Sequence, residues 1–520
     1  MIQPLFPAAL KGMIADGSRA LAILDAREEG EFGQGHLFWA VPCPLSRAEP
    51  RLAELIPPGD VVLVCVDGGG GQAQALAGIA MAQGHTRVHV LTGGTPAWAA
   101  AGYEVFSGVN VPSKAFGEWA EHHFGTESLD PPELAALQAS GQPMVLLDSR
   151  TPEEFERMTI PGAVNVPGGE LVWRIGEFAP DAGTTIVINC AGRTRSIMGA
   201  ESLRRAGLPN RILALRNGTM GWELAGYTCE HGARRAHSPG TPPGAALAAQ
   251  RAGGFASSAG VRTLPASGLA ALLRDGHPTY RLDVRARDEY LAGHIPGFSH
   301  APGGQLVQAT DGWVALRPAR IILTDMGDGT RARMTGAWLS LLGQWEVLVL
   351  DGVPPDGGLE TGPAPLAEVQ QRPSITVAEL AGMAGAVVID LARSVDYRAG
   401  HIAGAIWGVR TRLAAPPPAA LVVVTAPDER LAHLAVAELA ALTTAPVRVL
   451  AGGTAAWRAA GLPMQADRTI PADAQCIDFH LRPYDRNSGV EEAMRAYLSW
   501  EIDLVHAVER DGDSRFGEPG

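Results

Sequence analysis

The sequence predicts an α/β fold of four tandem units, each a mainly parallel sheet flanked by helices, followed by a C-terminal helical tail. Three observations carry that expectation. A pattern of apolar strand, aspartate, charged helical stretch and Gly-rich turn occurs four times. The strands are short unbroken apolar runs, as expected of parallel strands covered on both faces. Two further landmarks recur at nearly constant distance from the aspartate, which marks a repeated supersecondary unit.

The four copies read "AILDAREEGEFGQGHLFWAVPCPL", "VLLDSRTPEEFERMTIPGAVNVPGGEL", "YRLDVRARDEYLAGHIPGFSHAPGGQL" and "VVIDLARSVDYRAGHIAGAIWGVRTRL", with aspartates at Asp25, Asp148, Asp283 and Asp390. A second apolar strand then runs into a loop. Its first loop position is Asp67, Cys190 or Asp325, each 42 residues after the aspartate; in the shorter fourth copy Ala426 follows after 36. The third landmark, "TGGTPAW", "RNGTMGW" and "AGGTAAW", ends at Trp98, Trp222 and Trp457, and is missing from the third copy. These landmarks place the units at 1–107, 124–231, 260–360 and 373–465, with the tail at 466–520.

The joins are visible by composition. The stretch 231–260 is rich in Gly, Ala, Ser and Pro and reads as a flexible linker. "ETGPAPLAEVQQRP" reads as another, and "SGVNVPSKAFGEWAEHHFGTES" as a partly helical join. In the tail, Met494, Tyr497, Leu498, Ile502 and Val505 recur at helical spacing. A helix packed on a neighbouring domain is expected, with a homodimer contact as the alternative.

The 520 residues suit roughly three to five domains. A net charge of −13 argues against a surface that coats nucleic acid. The five cysteines are widely spaced and include no Cys-x-x-Cys, so neither a zinc ribbon nor a disulfide framework is expected. The histidines show no metal spacing, and neither metal nor cofactor is predicted. The first residues lack the features of a secretory leader, and no apolar run reaches the length of a membrane span. The expectation is a cytoplasmic protein with small-molecule partners.

Chemistry concentrates in "TIVINCAGRTRS", Thr185 to Ser196. A buried structural cysteine is the commonest fate of a free thiol. Against that, Cys190 stands between an apolar strand and a helix start, with Arg193 and Arg195 close by. Arginines or helix N-termini lower a thiol from about 8.5 into the range of roughly 3.5–7.5. Gly192 lets the backbone curl so that successive N–H groups converge on an anion, and Ala191 leaves the thiol reachable. Cys190 is therefore the expected nucleophile. Ala191, Gly192, Arg193, Thr194, Arg195 and Ser196 are the expected substrate-binding loop. Asp148 and Arg150 read as an ion pair tying strand end to loop, or alternatively as the floor of the site. Glu170 and Trp173 are placed at its entrance, and Thr219 and Trp222 read as turn and packing residues. Cys65 reads as core, and Cys229 as a structural thiol, with a second thiol that resolves a persulfide as the alternative.

These segments resemble the rhodanese, or sulfurtransferase, family over nearly the whole chain, as four tandem rhodanese-like domains. "LDVRARDEYLAGHIPGFSHAPGGQL" is similar to the family's N-terminal signature, and "GGTPAW" and "NGTMGW" to its C-terminal one. In that family the catalytic cysteine follows the central strand. Only Cys190 matches, so the resemblance implies one active domain and three without a nucleophile. It also implies double displacement. Cys190 takes sulfane sulfur from thiosulfate or a small persulfide and passes it to cyanide or a thiol. The second copy departs from the signature at Thr159, where the third and fourth carry histidine. Phosphatases of this fold use a loop one residue longer than Cys190–Arg195, and the mercaptopyruvate branch a different loop sequence. A non-catalytic carrier or scaffold is the alternative function. By analogy with two-domain rhodaneses, the first or third domain is expected to wall the active one.

Overall fold

The computed structural model describes residues 2–343, 345–355 and 358–518. It contains four five-stranded sheets, and in each the strands run in the order first, fifth, fourth, second, third. The within-sheet pairings are parallel. The fourth strand is central in each: Val62–Val66, Thr185–Asn189, Arg320–Thr324 and Leu421–Thr425. Each is almost wholly buried, which explains its unbroken run of Val, Ile and Leu. Cys65 is such a core residue. In an open parallel sheet, ligands bind beyond the carboxyl ends of the strands. The four loops that begin at Asp67, Cys190, Asp325 and Ala426 all lie there.

The first three units share one continuous apolar core, whereas the fourth has its own. Between the first and third units, Leu21 and Arg317 exchange backbone hydrogen bonds at 2.9 Å, and Tyr280 Oη donates to Leu55 O at 2.8 Å. Between the second and third, the backbones of Gly169 and Gly304 meet so closely that a Cβ on either would lie 2.8 Å from the other's amide nitrogen. The fourth unit docks on the first through the Arg410 fork on Glu49, both contacts at 2.8 Å.

One join differs from expectation and one follows it. The stretch read as a flexible linker contains the helix Ala245–Ser258, which buries Ala248, Ala252, Phe255 and Ala256. Its "AALAAQRA" start has high helix propensity, and its small side chains allow close packing against the helix Thr330–Gly343. The join after the first unit is partly helical as expected, with the helix Val111–Phe124 wedged between units. The tail forms the helix Val490–Asp511, which packs against it. The buried face of that tail helix is Met494, Leu498, Glu501, Leu504 and Val508. Ile502, expected on this face, is 45% exposed. Among the described residues no helix is long and apolar enough to cross a membrane.

Candidate active site

The central strand of the second unit delivers Cys190 into a short loop, and the helix Thr194–Arg205 follows. A second helix, Gly218–Leu224, clamps the loop. Thr219 N–H donates to Cys190 O at 2.8 Å and Met220 N–H to Ala191 O at 3.0 Å. Gly218 makes that approach feasible: its φ is +52°, and a Cβ there would lie 2.2 Å from Cys190 O. The third landmark of the sequence is this clamp. Gly94 and Gly453 stand in the same relation to Asp67 O and Ala426 O. Thr219 is buried in the turn. Trp222 packs on Tyr227 and donates to Thr228 O at 3.1 Å.

The sister loops display what the backbone curl does. Asp67 folds its carboxylate into its own loop and accepts from Gly69 N–H (2.7 Å) and Ala73 N–H (3.0 Å). Asp325 accepts from Gly327, Gly329 and Arg331 N–H at 3.0, 3.1 and 3.0 Å. Converging amides are satisfied there by an internal anion. Cys190 occupies the corresponding position in the second unit.

Cys190 is 2% exposed, and its thiol faces Ser196 Oγ at 3.6 Å. Burial pushes the thiol up; Arg195 and Ser196 pull it down, and Glu501 pushes it further up. The net direction is upward, opposite to the sequence expectation, because the tail helix covers the loop. Arg195 stays on the cavity side of the loop, forked on Glu154 at 2.6 and 2.8 Å. Burial opposes ionisation of Glu154, yet Arg195, Arg482 and Arg150 hold its carboxyl far below the ordinary range. Arg193 goes elsewhere. It forks on Glu118 of the Val111–Phe124 helix, both contacts at 2.8 Å, and also bonds Glu121. Arg193 therefore pins the inter-unit helix, and the cavity lining includes Arg195 without it.

The remaining loop residues meet the tail. A Cβ on Gly192 would lie 2.9 Å from Glu501 Oε2 and 3.1 Å from Tyr497 Cε1. Glycine is required there for close approach of the tail helix, since Gly192 does not adopt a positive φ. Thr194 Oγ1 donates to Glu501 Oε1 at 3.3 Å. Ala191 joins an apolar cluster with Met220, Met494 and Leu498. Ser196 donates to Arg193 O at 2.7 Å. Asp148 and Arg150 form a buried fork, Nε–Oδ1 2.9 Å and Nη2–Oδ2 2.7 Å, and Thr159 Oγ1 donates to Asp148 at 2.9 Å. The pair ties the strand end to the loop, and Arg150 also lines the cavity, whereas Asp148 does not. The same fork recurs as Asp25–Arg27 and Asp283–Arg285.

The loop opens into a cavity of about 960 Å³. Ala191 and Arg195 lie against it. Its walls come from the inter-unit helix (Lys114), the fourth unit (Arg393, Arg398) and the tail (Arg482, Tyr497). The third unit adds only Gln308. The fourth unit and the tail thus wall this cavity, while the expected wall from the third unit (Gly303, Gly304, Val307, Trp338) stands against the other side of Thr194 and Arg195. Trp173 and Glu170 lie instead at the junction with the third unit, where Trp173 donates to Asp328 (3.1 Å) and Arg331 bonds Glu170 (3.0 Å). Cys229 is buried in a separate apolar cluster, where burial holds its thiol up at about 12.

Sequence reading missed Lys114, Tyr497 and Glu501. Lys114 Nζ bonds Tyr497 Oη and lies 3.7 Å from Glu501; Tyr497 Oη lies 2.9 Å from Glu501 Oε1. Burial brings Lys114 down to about 8, against the pull of Glu501. The available signal was an acid, Glu501, in the middle of an apolar helical stripe.

Comparison with known proteins agrees with this architecture. The Rhodanese-like domain family model matches residues 6–101, 130–225 and 266–352. A crystal structure of thiosulfate sulfurtransferase from Pseudomonas aeruginosa superposes with TM-score 0.92 at 42% identity, covering 100% of both chains. The chain is 34% identical over 106 residues to a putative thiosulfate sulfurtransferase, SseB, of Mycobacterium tuberculosis, matching 19% of this chain and spanning 37% of that relative's length. It is 31% identical over 98 residues to a sulfurtransferase of Allochromatium vinosum, covering 19% of this chain and 89% of the relative. With four sheets of one strand order and a single cysteine at the loop position, the chain belongs to the rhodanese-like family of sulfurtransferases.

Proposed function

We propose that this protein moves sulfane sulfur from thiosulfate or a small-molecule persulfide to a thiophilic acceptor, cyanide or a thiol, through a persulfide on Cys190. The observation that carries this reading is the position of Cys190. It stands where Asp67 and Asp325 bind converging amides as internal anions, beside a cavity rich in arginine. A thiolate, and then a terminal persulfide sulfur, is the anion that loop would hold.

In the first step the Cys190 thiolate attacks the outer sulfur of thiosulfate. A Cys–S bond forms, the S–S bond of the donor breaks, and sulfite leaves with the bonding pair. In the second step an acceptor attacks the terminal sulfur, and Cys190 recovers its thiolate. Arg195, fixed by Glu154, meets the donor's negative charge. The tail helix, by covering the loop, keeps water from the persulfide. Cys190, Ala191, Gly192, Thr194, Arg195 and Ser196 form the site in this reading, with Arg193 acting through the fold.

The test is turnover of thiosulfate by the full chain with cyanide and with thiols, compared with Cys190→Ser. Turnover lost with the cysteine supports the reading. Absence of turnover across a broad panel, with Cys190 reduced, favours the scaffold alternative.

A further inference from the structure

The cavity above the Cys190 loop exceeds what a small oxyanion needs. Its volume of about 960 Å³ lies near the top of the range for sites enclosing drug-sized ligands, roughly 300–1,000 Å³. Nine arginine and lysine side chains line it, against four carboxylates, in a chain of net charge −13. Several of these cations are already neutralised: Arg195 by Glu154, Arg150 by Asp148, Arg157 by Asp485 and Arg393 by Asp396.

Arg468, Arg482 and Arg486, all in the tail, differ. Among the described residues none of the three has an ion-pair partner, and of them Arg482 stands over the Phe479 ring at 6.0 Å. The field of Arg482 nevertheless reaches the floor of the site. Together with Arg195 it acts on Glu154, Lys114 and Tyr497. Tyr497 in turn bonds Glu501, which holds Thr194 of the Cys190 loop. Arg482 and Arg486 lie four residues apart in the tail and line the cavity together with His480. Unpaired guanidinium groups facing a cavity beside a reactive sulfur are suited to fork a carboxylate.

Resting on the sulfur-transfer reading above, we propose that Arg482, with Arg486 beside it, forms a specificity-determining anion subsite. It holds a carboxylate on the body of an organic thiol acceptor while that acceptor's sulfur reaches the Cys190 persulfide. The acceptor thiolate attacks the outer sulfur and a new S–S bond forms. The bond between that sulfur and Cys190 Sγ breaks, its electron pair returns to Cys190 as thiolate, and the acceptor leaves as a perthiolate. The negative charge of thiosulfate lies at its reacting end, so loading from thiosulfate does not need this subsite.

Two measurements on the full chain separate this proposal from the reading beneath it. S-methyl mercaptosuccinate carries the carboxylates without a free thiol, and calorimetric titration with it follows the subsite without chemistry. Arg482→Ala is expected to weaken its binding about tenfold, with Arg482→Lys restoring part. The uncharged S-methyl mercaptoethanol is expected to bind both alike. Discharge of the thiosulfate-loaded chain is then compared with mercaptosuccinate and with 2-mercaptoethanol. Arg482→Ala is expected to slow the former about tenfold more than the latter. Arg482 is exposed and outside the core, and Arg486→Ala is a second, independent variant. Unchanged affinity for the dianion in both variants would overturn the subsite, even with normal sulfur loading. Arg482-dependent binding in a chain that never loads sulfur would overturn the sulfur-transfer reading and leave the subsite standing.

Discussion

Gly218→Ala is the substitution whose consequence follows most directly from the geometry. The new Cβ would stand 2.2 Å from Cys190 O and 2.7 Å from Cys190 C. Ordinary carbon–oxygen contacts lie near 3.3–3.6 Å, so the loop must retreat by about 1 Å. That movement loosens the hydrogen bonds from Thr219 and Met220. Left-handed backbone at a non-glycine residue costs roughly 1–2 kcal/mol, and each weakened hydrogen bond about 1 kcal/mol. A loss of about 3–4 kcal/mol in unfolding free energy is therefore expected, read by urea titration. Misplacing a reacting group by about 1 Å costs on the order of 100-fold in rate. Sulfur loading of Cys190 should slow by about that factor. Gly453→Ala in the fourth unit is the control, with φ +59° and a Cβ 2.9 Å from Ala426 O. It should destabilise without slowing loading more than about twofold. Gly218→Ala loading at the wild-type rate would refute the clamp.

Arg195→Ala should weaken anionic donors most and raise the pH at which Cys190 is alkylated. Arg193→Ala should instead cost about 3–5 kcal/mol of stability, because Glu118 is left buried and unpaired; thiosulfate kinetics separate the two. Glu501→Gln removes a charge that opposes the thiolate, so alkylation of Cys190 at fixed pH should become faster. Stability should also fall at alkaline pH. Unfolded thiols ionise near 8.5, whereas burial holds Cys43 and Cys229 up to about 12. Above 8.5 the unfolded chain binds fewer protons than the folded one. The stabilisation is whole below that pH and lost progressively up to about 12, at about 1.4 kcal/mol per unit and per thiol. Urea unfolding at pH 8 and 10 should show the loss, and Cys229→Ala should flatten it.

Local pattern carried the features that repeat. Strand runs and the aspartate recur in all four copies, its arginine and the glycine clamp in three each, so one copy explained another and the one loop with a cysteine stood out. Features that occur once, through contacts distant in sequence, were not legible. Arg193 and Arg195 look equivalent, and only the position of Glu118 and Glu154 separates them. Much of the cavity wall comes from residues some 200–300 positions beyond Cys190, and Lys114 comes from well before it. The buried face of the tail helix was partly misassigned because Glu501 interrupts its apolar stripe; the acid is buried for its bonds to Thr194 and Tyr497. The stretch before the third unit was read as a linker from its Gly, Ser and Pro content, while alanine spacing made a helix.

The most direct test of sulfur carriage on Cys190 is intact mass spectrometry of the full chain after incubation with thiosulfate and removal of excess donor. The expected result is a gain of one sulfur, roughly 32 Da, by the wild type and none by Cys190→Ser. Equal gain by Cys190→Ser, or no gain by a wild-type chain whose Cys190 is reduced, would contradict it.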